Sequence, residues 1–209
     1  APLTSLGDAQ SKALASRLAS QRISAIYSSP FRRCLQTAFP IADALGLPIR
    51  LRGEMCEYHH LPEGAEHDLE LEGPEKIAAE FSVAKMCPDS DQNAPWPRGD
   101  ESMTAMLTRT AAMALYLKER WRDATDAVVV ISHGSPIARL IEAWLTPQPG
   151  PAFRFVIDNA TVSALRHHGG VSSLVCLNEA SHLRELPVPA GANYREDGSI
   201  KAEPATQAW

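Results

Sequence analysis

The chain has 209 residues, of which 44% are hydrophobic and 22% charged, the balance of an ordinary globular domain with enough mass for a sizeable core. Twenty Lys and Arg against 25 Asp and Glu leave a formal net charge of −5, which argues against nucleic acid or an anionic membrane as the main partner. No apolar run is long enough for a membrane helix. The cysteines Cys34, Cys56, Cys87 and Cys176 form no Cys-x-x-Cys pair, so neither zinc nor a dithiol is called for.

In chain order, a first helix is expected over about Ser5–Gln21, with Ser5 and Asp8 as a capping box. Ala25-Ile26-Tyr27 reads as a strand that ends in Ser28-Ser29-Pro30. The next helix carries Cys34, Leu35, Ala38, Ile41, Ala42 and Leu45 on one stripe and stops at Gly46, and Cys34 and Cys176 read as packing residues. Ile49-Arg50-Leu51 is a second strand. Residues 58–100 are long, irregular and acidic, with Glu63, Glu66, Asp68, Glu70, Glu72 and Glu75 around Lys76; loops of this length are usually functional, although most of these carboxylates read as a solvated face.

A helix over about Ser102–Arg122 leads to Val128–Ile131, an uninterrupted β-branched run that reads as a strand buried on both faces. Ser135 and Pro136 then suit an N-cap and first helical residue, followed by the periodic Ile137, Leu140, Ile141 and Trp144. Two late strands, about Thr161–Arg166 and Ser172–Leu177, joined by His167-His168-Gly169-Gly170, make an antiparallel hairpin. Residues 184–209 turn to Pro, Ala and polar residues from Pro187 and read as a surface-wrapping or disordered tail. The alternation predicts an α/β fold: a three-layer sandwich with a mostly parallel sheet flanked by helices and a late antiparallel hairpin.

Two strand–helix corners carry the chemistry. His133 stands at the C-terminal end of the Val128–Ile131 strand, where open α/β sheets place ligands, and the His133-Gly134 corner leads into a helix start whose free N–H groups suit an anion such as phosphate. Arg33 lies in the first turn of the second helix, a position the helix dipole disfavours for a cation, where a guanidinium fork could hold a phosphate. Alone, a histidine at a strand end is more often a satisfied structural residue, and Arg33 reads as a surface arginine as readily as a phosphate fork.

The block Ser28-Ser29-Pro30-Phe31-Arg32-Arg33-Cys34-Leu35-Gln36-Thr37-Ala38 resembles the Ser-Ser-x-x-x-Arg-x-x-Gln-Thr-Ala block of the histidine phosphatase (phosphoglycerate mutase-like) superfamily. Other pieces follow in the family's order: Pro2-Leu3-Thr4-Ser5-Leu6-Gly7-Asp8-Ala9-Gln10; Glu57 at the place of the family's acid; Gly99-Asp100-Glu101-Ser102 with Arg109; and Asn159–Ser163 with Leu177–Leu183 as closing strands. The resemblance covers roughly residues 1–183, as one domain with a substrate-selecting cap at about 58–100. The family's nucleophilic histidine belongs to an Arg-His-Gly motif on a strand upstream of the Pro-Leu-Thr block. No Arg-His-Gly occurs in this chain, which is read as incomplete at its N-terminus.

The resemblance implies a metal-independent phosphomonoester hydrolase with a phosphohistidine intermediate. It assigns His133, Glu57 and Arg33 to catalysis, and Arg33, Gly134, Ser29, Asn159 and His59 to substrate binding. His59 and its neighbour His60 could line the pocket or bind a metal; pocket lining by His59 is preferred, and no metal or other cofactor is expected. The alternatives are a phosphoglycerate-type mutase, whose Tyr-Gly and later Asn-Lys pattern is absent, and a catalytically silent binder of phosphorylated ligands or partner proteins. The expected partner is a small phosphorylated substrate, with no nucleic acid and no membrane, in a cytoplasmic protein for which a homodimer is the assembly considered; an upstream signal peptide is the alternative location signal.

Overall fold

Strand β1 (Ile23–Ser28) is the axis of the molecule. The computed structural model describes residues 2–58, 76, 79–86, 101–146 and 155–186. Around β1 lie α1 (Ser5–Leu18), α2 (Arg32–Leu45), β2 (Ile49–Leu51), a 3-10 turn (Gly53–Met55), β3 (Ala84–Met86), α3 (Met103–Arg120), β4 (Ala127–Ile131), α4 (Gly134–Leu145), and the hairpin β5 (Val162–His168) and β6 (Val171–Glu179). The main sheet runs β3-β2-β1-β4 with every pairing parallel. Successive residues of β1 point to opposite faces. Ile26 joins Leu14, Leu18, Leu35, Ile41 and Ile49 under α1 and α2, whereas Ala25 and Tyr27 join Met113, Leu117 and Leu140 under α3 and α4. This is the three-layer α/β sandwich expected from the alternation of strands and helices.

The helix boundaries depart from the sequence reading where side-chain hydroxyls compete for the cap. Thr4, not Ser5, caps α1: its backbone is extended (ψ 169°) and its Oγ1 accepts from the Gly7 N–H at 3.1 Å. Ser5 is already helical, and Asp8 pairs with Lys12 at 2.7 Å instead of closing a capping box. The helix ends at Leu18, short of Gln21. Ser102 caps α3, accepting from Ala105 N–H at 3.1 Å. For α4 the cap is His133, whose backbone is still strand-like (φ −118°, ψ 168°), so Ser135 and Pro136 fall inside the first turn rather than at its start. Proline is tolerated there because the first N–H groups of a helix have no partner within it.

Two strands also differ from expectation. β3 lies inside the stretch read as irregular, where Ile49, Arg50 and Leu51 pair with Ala84, Lys85 and Met86. Val128, Val129 and Val130 of β4 are half-buried, and Ile131 alone is buried, where burial on both faces was expected. The reason is position: among the described residues β4 is an edge strand, paired with β1 along one side. Residues 59–75, 77–78 and 87–100 of the stretch that carried the cap expectation, with His59, His60, Cys87 and the acidic residues from Glu63 to Glu75, lie outside the described residues, as does the tail from 187.

The hairpin turns through Gly169 and Gly170, both left-handed (φ 58° and 78°), which matches strand twist in a two-residue turn. It docks on α4 through Trp144, whose Nε1 donates to Arg166 O at 3.2 Å and whose ring meets His167 edge-on. Among the described residues no helix is long and apolar enough to cross a membrane.

Gly46 ends α2 with φ 66°, and a Cβ there would meet nothing within 4 Å. The cost of a side chain is therefore purely conformational. Gly46→Ala is expected to lower stability by about 1–2 kcal/mol, read as a lower urea midpoint with an unchanged slope; an unchanged midpoint would contradict the left-handed cap.

Candidate active site

The site grows from one register. Ser28 pairs with Ile131, and one step further the Ser29 N–H donates to Ile131 O at 2.9 Å. Both strands end there, and α2 and α4 start from their C-terminal ends, so two helix N-termini open at one place. Ser29 and His133, 104 residues apart, meet side by side: Ser29 Oγ lies 3.0 Å from His133 Nε2. Arg33, in the first turn of α2, donates from Nε to His133 Nδ1 at 3.1 Å. With Nδ1 accepting, the hydrogen-bond pattern assigns the proton to Nε2, which donates to Ser29. The imidazole is buried (6% exposed), with Phe31 packed edge-on against it at 5.0 Å. The Arg33 guanidinium in turn lies 4.9 Å from the Phe31 ring centre.

Glu57 completes the cluster. Its Oε2 is 3.8 Å from His133 Nδ1, and its Oε1 accepts from the Tyr58 N–H at 2.9 Å. Burial raises its pKa, and the Tyr58 amide, the Arg33 and Arg109 guanidinium charges and the Ser135 hydroxyl pull it back without cancelling the rise. Glu57 sits just past the 3-10 turn Gly53–Met55, which is tied down from two sides. Ser132 Oγ donates to Met55 O at 2.6 Å, and Arg109 Nη1 donates to Glu54 O and Cys56 O at 2.6 and 2.8 Å. Arg109 forms a bidentate pair with Glu101.

Of the residues expected at the site, Ser29, Arg33, Glu57, His133 and Gly134 come together. Gly134 opens α4, and a Cβ there would lie 3.8 Å from Ile157 O, so the segment before β5 passes close by. Asn159 is not hydrogen-bonded to the cluster: it is exposed in the turn before β5. Asn178 ties that turn instead, accepting from Asp158 N–H and Thr161 Oγ1 and donating to Val156 O. His59 lies outside the described residues.

Sequence reasoning missed two neighbours. Cys34, read as packing, is buried but stands against the imidazole, with Sγ 3.5 Å from His133 Nε2. Burial pushes its thiol up to about 12, and that of Cys56 likewise, so both are neutral fillers beneath the charged groups. The Arg109–Glu101 pair was visible as a motif but had no assigned role. The helical stripe gave the only signal for Cys34, and it says which way the thiol points, not what it meets. Among the described residues no group of three or more His, Cys, Asp or Glu side chains is arranged to hold a metal.

Residues 1–180 match the family model of the histidine phosphatase superfamily (branch 1). The chain belongs to that superfamily. Within it, the chain is 30% identical over 190 residues to phosphoserine phosphatase 1 of Hydrogenobacter thermophilus, covering 90% of this chain and 85% of that protein. Among solved structures, the mycobacterial glucosyl-3-phosphoglycerate phosphatase superposes with a TM-score of 0.58 at 25% identity, covering 85% of this chain and 87% of the other. YhfR of Bacillus stearothermophilus has the same histidine phosphatase fold, with a TM-score of 0.61 at 21% identity, covering 88% and 87% of the two chains.

The raised pKa of Glu57 has a consequence for stability. A carboxyl that holds its proton more tightly in the folded state contributes stability below its unfolded pKa and loses it as pH rises through the folded value. Glu57→Gln should therefore raise Tm relative to the parent at pH 8 and change it least at pH 4, measured by thermal unfolding across that range. A variant less stable than the parent at pH 8 would show that the buried charge is well compensated.

Proposed function

We propose that this chain is the phosphate-handling body of a phosphomonoester hydrolase that works through a phosphohistidine intermediate and without a metal. The observation that carries the reading is the contact of Arg33 with His133 at 3.1 Å, with the Glu57 carboxyl 3.8 Å from the same imidazole, where two helix N-termini converge. The Arg33 Nη groups form a planar fork for the equatorial oxygens of a phosphoryl group, and the His133 Nε2–H, which donates to Ser29 here, turns to those oxygens when they are bound. The helix starts add fixed positive potential, so charge that builds on the oxygens meets donors already in place.

The attacking group in this reading is a second histidine. Among the described residues His133 alone is at the cluster, and its Nδ1 is already engaged by Arg33. The proposal takes the nucleophile from a strand ahead of Pro2 that would lie along the outer edge of β4. That histidine nitrogen forms a bond to phosphorus as the ester P–O bond breaks, and Glu57 gives its proton to the leaving oxygen. The Glu57 carboxylate then takes a proton from water as the water oxygen attacks phosphorus. The P–N bond breaks, and inorganic phosphate leaves. A carboxyl raised by burial suits this double duty, because it stays protonated at higher pH than an exposed one.

Small phosphate monoesters fit this chemistry, and phosphoserine is the first to try because the relative from Hydrogenobacter thermophilus is named for it. In the complete protein, turnover of phosphoserine and p-nitrophenyl phosphate is expected, with release of inorganic phosphate. His133→Ala should cut kcat/KM by more than about a hundredfold, and near-parental activity in that variant would overturn the assignment. EDTA should leave the rate unchanged; a large loss restored by a divalent cation would replace this mechanism with a metal-dependent one. Phosphate binding without turnover would instead identify a silent binding member.

A further inference from the structure

We propose that Arg109 is a positioning residue: its guanidinium, held by Glu101, fixes the backbone of residues 54–57 and thereby the place of the Glu57 carboxyl beside His133. The inference rests on the acid role given to Glu57 above.

Its basis is the use of donors. A guanidinium has five N–H groups, and in Arg109 each has an acceptor. Nε and Nη2 bind the two Glu101 oxygens at 2.6 and 2.7 Å, Nη1 binds Glu54 O and Cys56 O at 2.6 and 2.8 Å, and Nη2 reaches Glu57 O at 3.4 Å. Ser132 Oγ takes the carbonyl between them, Met55 O. Four consecutive carbonyls thus find side-chain donors in a segment whose own regular structure is one short 3-10 turn. The Arg109 and Glu101 side chains are only 12% and 8% exposed. Burying such a pair is costly unless further hydrogen bonds offset the lost hydration, and the loop carbonyls supply them.

The arrangement also leaves the Glu57 carboxyl out of the fork. Arg109 gives its bidentate face to Glu101 and touches Glu57 only at the backbone, so the carboxyl is not locked into a salt bridge with it. The groups that face this carboxyl are Arg33 from α2, His133 and Ser135 from the start of α4, Arg109 from α3, and the Tyr58 amide from its own loop. The thiols of Cys34 and Cys56 nearby are neutral. Glu101 pairs the Arg109 charge, whose pull on the Glu57 carboxyl is downward but smaller than the upward push of burial.

The test uses the full-length protein with Arg109→Gln, Arg109→Lys and Glu101→Gln, and two readouts. The first is the titration of the Glu57 carboxyl by carbon NMR, which needs no turnover. The second is kcat/KM for an alkyl phosphate, whose leaving oxygen needs a proton, against an aryl phosphate, whose leaving oxygen does not. Arg109→Gln should move the Glu57 titration upward and cut kcat/KM for the alkyl ester by about tenfold or more, with the aryl ester within about twofold. Arg109→Lys keeps the charge but has three donors, so the titration should return towards the parent while the alkyl-ester rate stays depressed. An unchanged alkyl-to-aryl ratio in Arg109→Gln would overturn the proposal whether or not the titration moves, because loss of the Arg109 charge by itself shifts the carboxyl. If that variant does not fold, the same pair of readouts in Arg109→Lys and Glu101→Gln decides in its place. A parent protein with no turnover at all would count against the phosphatase reading alone, and the backbone amide shifts of residues 54–57 would then decide the role of Arg109: unchanged shifts in Arg109→Gln would overturn it.

Discussion

Everything at the site depends on the parallel register of β1 with β4. Ser28 opposite Ile131 sets the last rank of the sheet, and from that rank the two chains leave as Ser29 and His133. A slip of one residue would turn the Ser29 side chain to the other face and carry Arg33 out of reach of the imidazole. The register is itself enforced by burial. Ala25 and Tyr27 belong under α3 and α4 while Ile26 belongs under α1 and α2, and no pairing shifted by one residue satisfies both layers. The geometry of the polar cluster is therefore paid for by apolar side chains that never touch it.

Inside the cluster the groups hold one another in defined states. Arg33 binds the unprotonated nitrogen of His133, which fixes the tautomer; Ser29 accepts from the other nitrogen; Phe31 packs against the imidazole and the guanidinium. Beneath them Cys34 and Cys56 fill space without adding charge, since burial keeps both thiols protonated. At Glu57, as at the two thiols, burial and the neighbouring donors and cations pull in opposite directions, and burial wins. A carboxyl in that condition is a weak point for folding and a useful one for moving protons.

The sequence was most legible where the signal was local. An apolar run ending at His133-Gly134, and a helix whose first turn held Arg33, located both corners of the site because strand ends and helix starts leave marks within a few residues. β3 was not legible: three residues carry no periodicity, and only pairing with β2 makes Ala84–Met86 a strand. The caps slipped by one or two positions because Thr4 and Ser5 offer the same hydroxyl and differ only in backbone angle, while His133 takes the cap position through its extended backbone, without a side-chain cap bond. Asn159 and Asn178 were equivalent as polar residues near a strand. The hairpin register selects Asn178, which reaches back to Val156 and Asp158 across about twenty residues of chain. The proximity of Cys34 to His133 belongs to the same class of fact, since it joins two segments that only the folded sheet brings together.

The separation of β1 from β4 also bears on how the chain reaches its fold. The strands that build the site close a loop of about a hundred residues, as the 104-residue spacing of Ser29 and His133 shows, and non-local parallel pairing of this kind is slow to form. The hairpin β5–β6, closed by Gly169-Gly170, needs no such search and can form by itself. On a ribosome adding roughly 5–20 residues per second, β1 would emerge several seconds before β4. During that interval β1 has β2 on one side and an open, apolar edge on the other. Among the described strands, Ile23–Ser28 is therefore the one that waits longest for a sheet partner and gains from chaperone shielding in nascent chains.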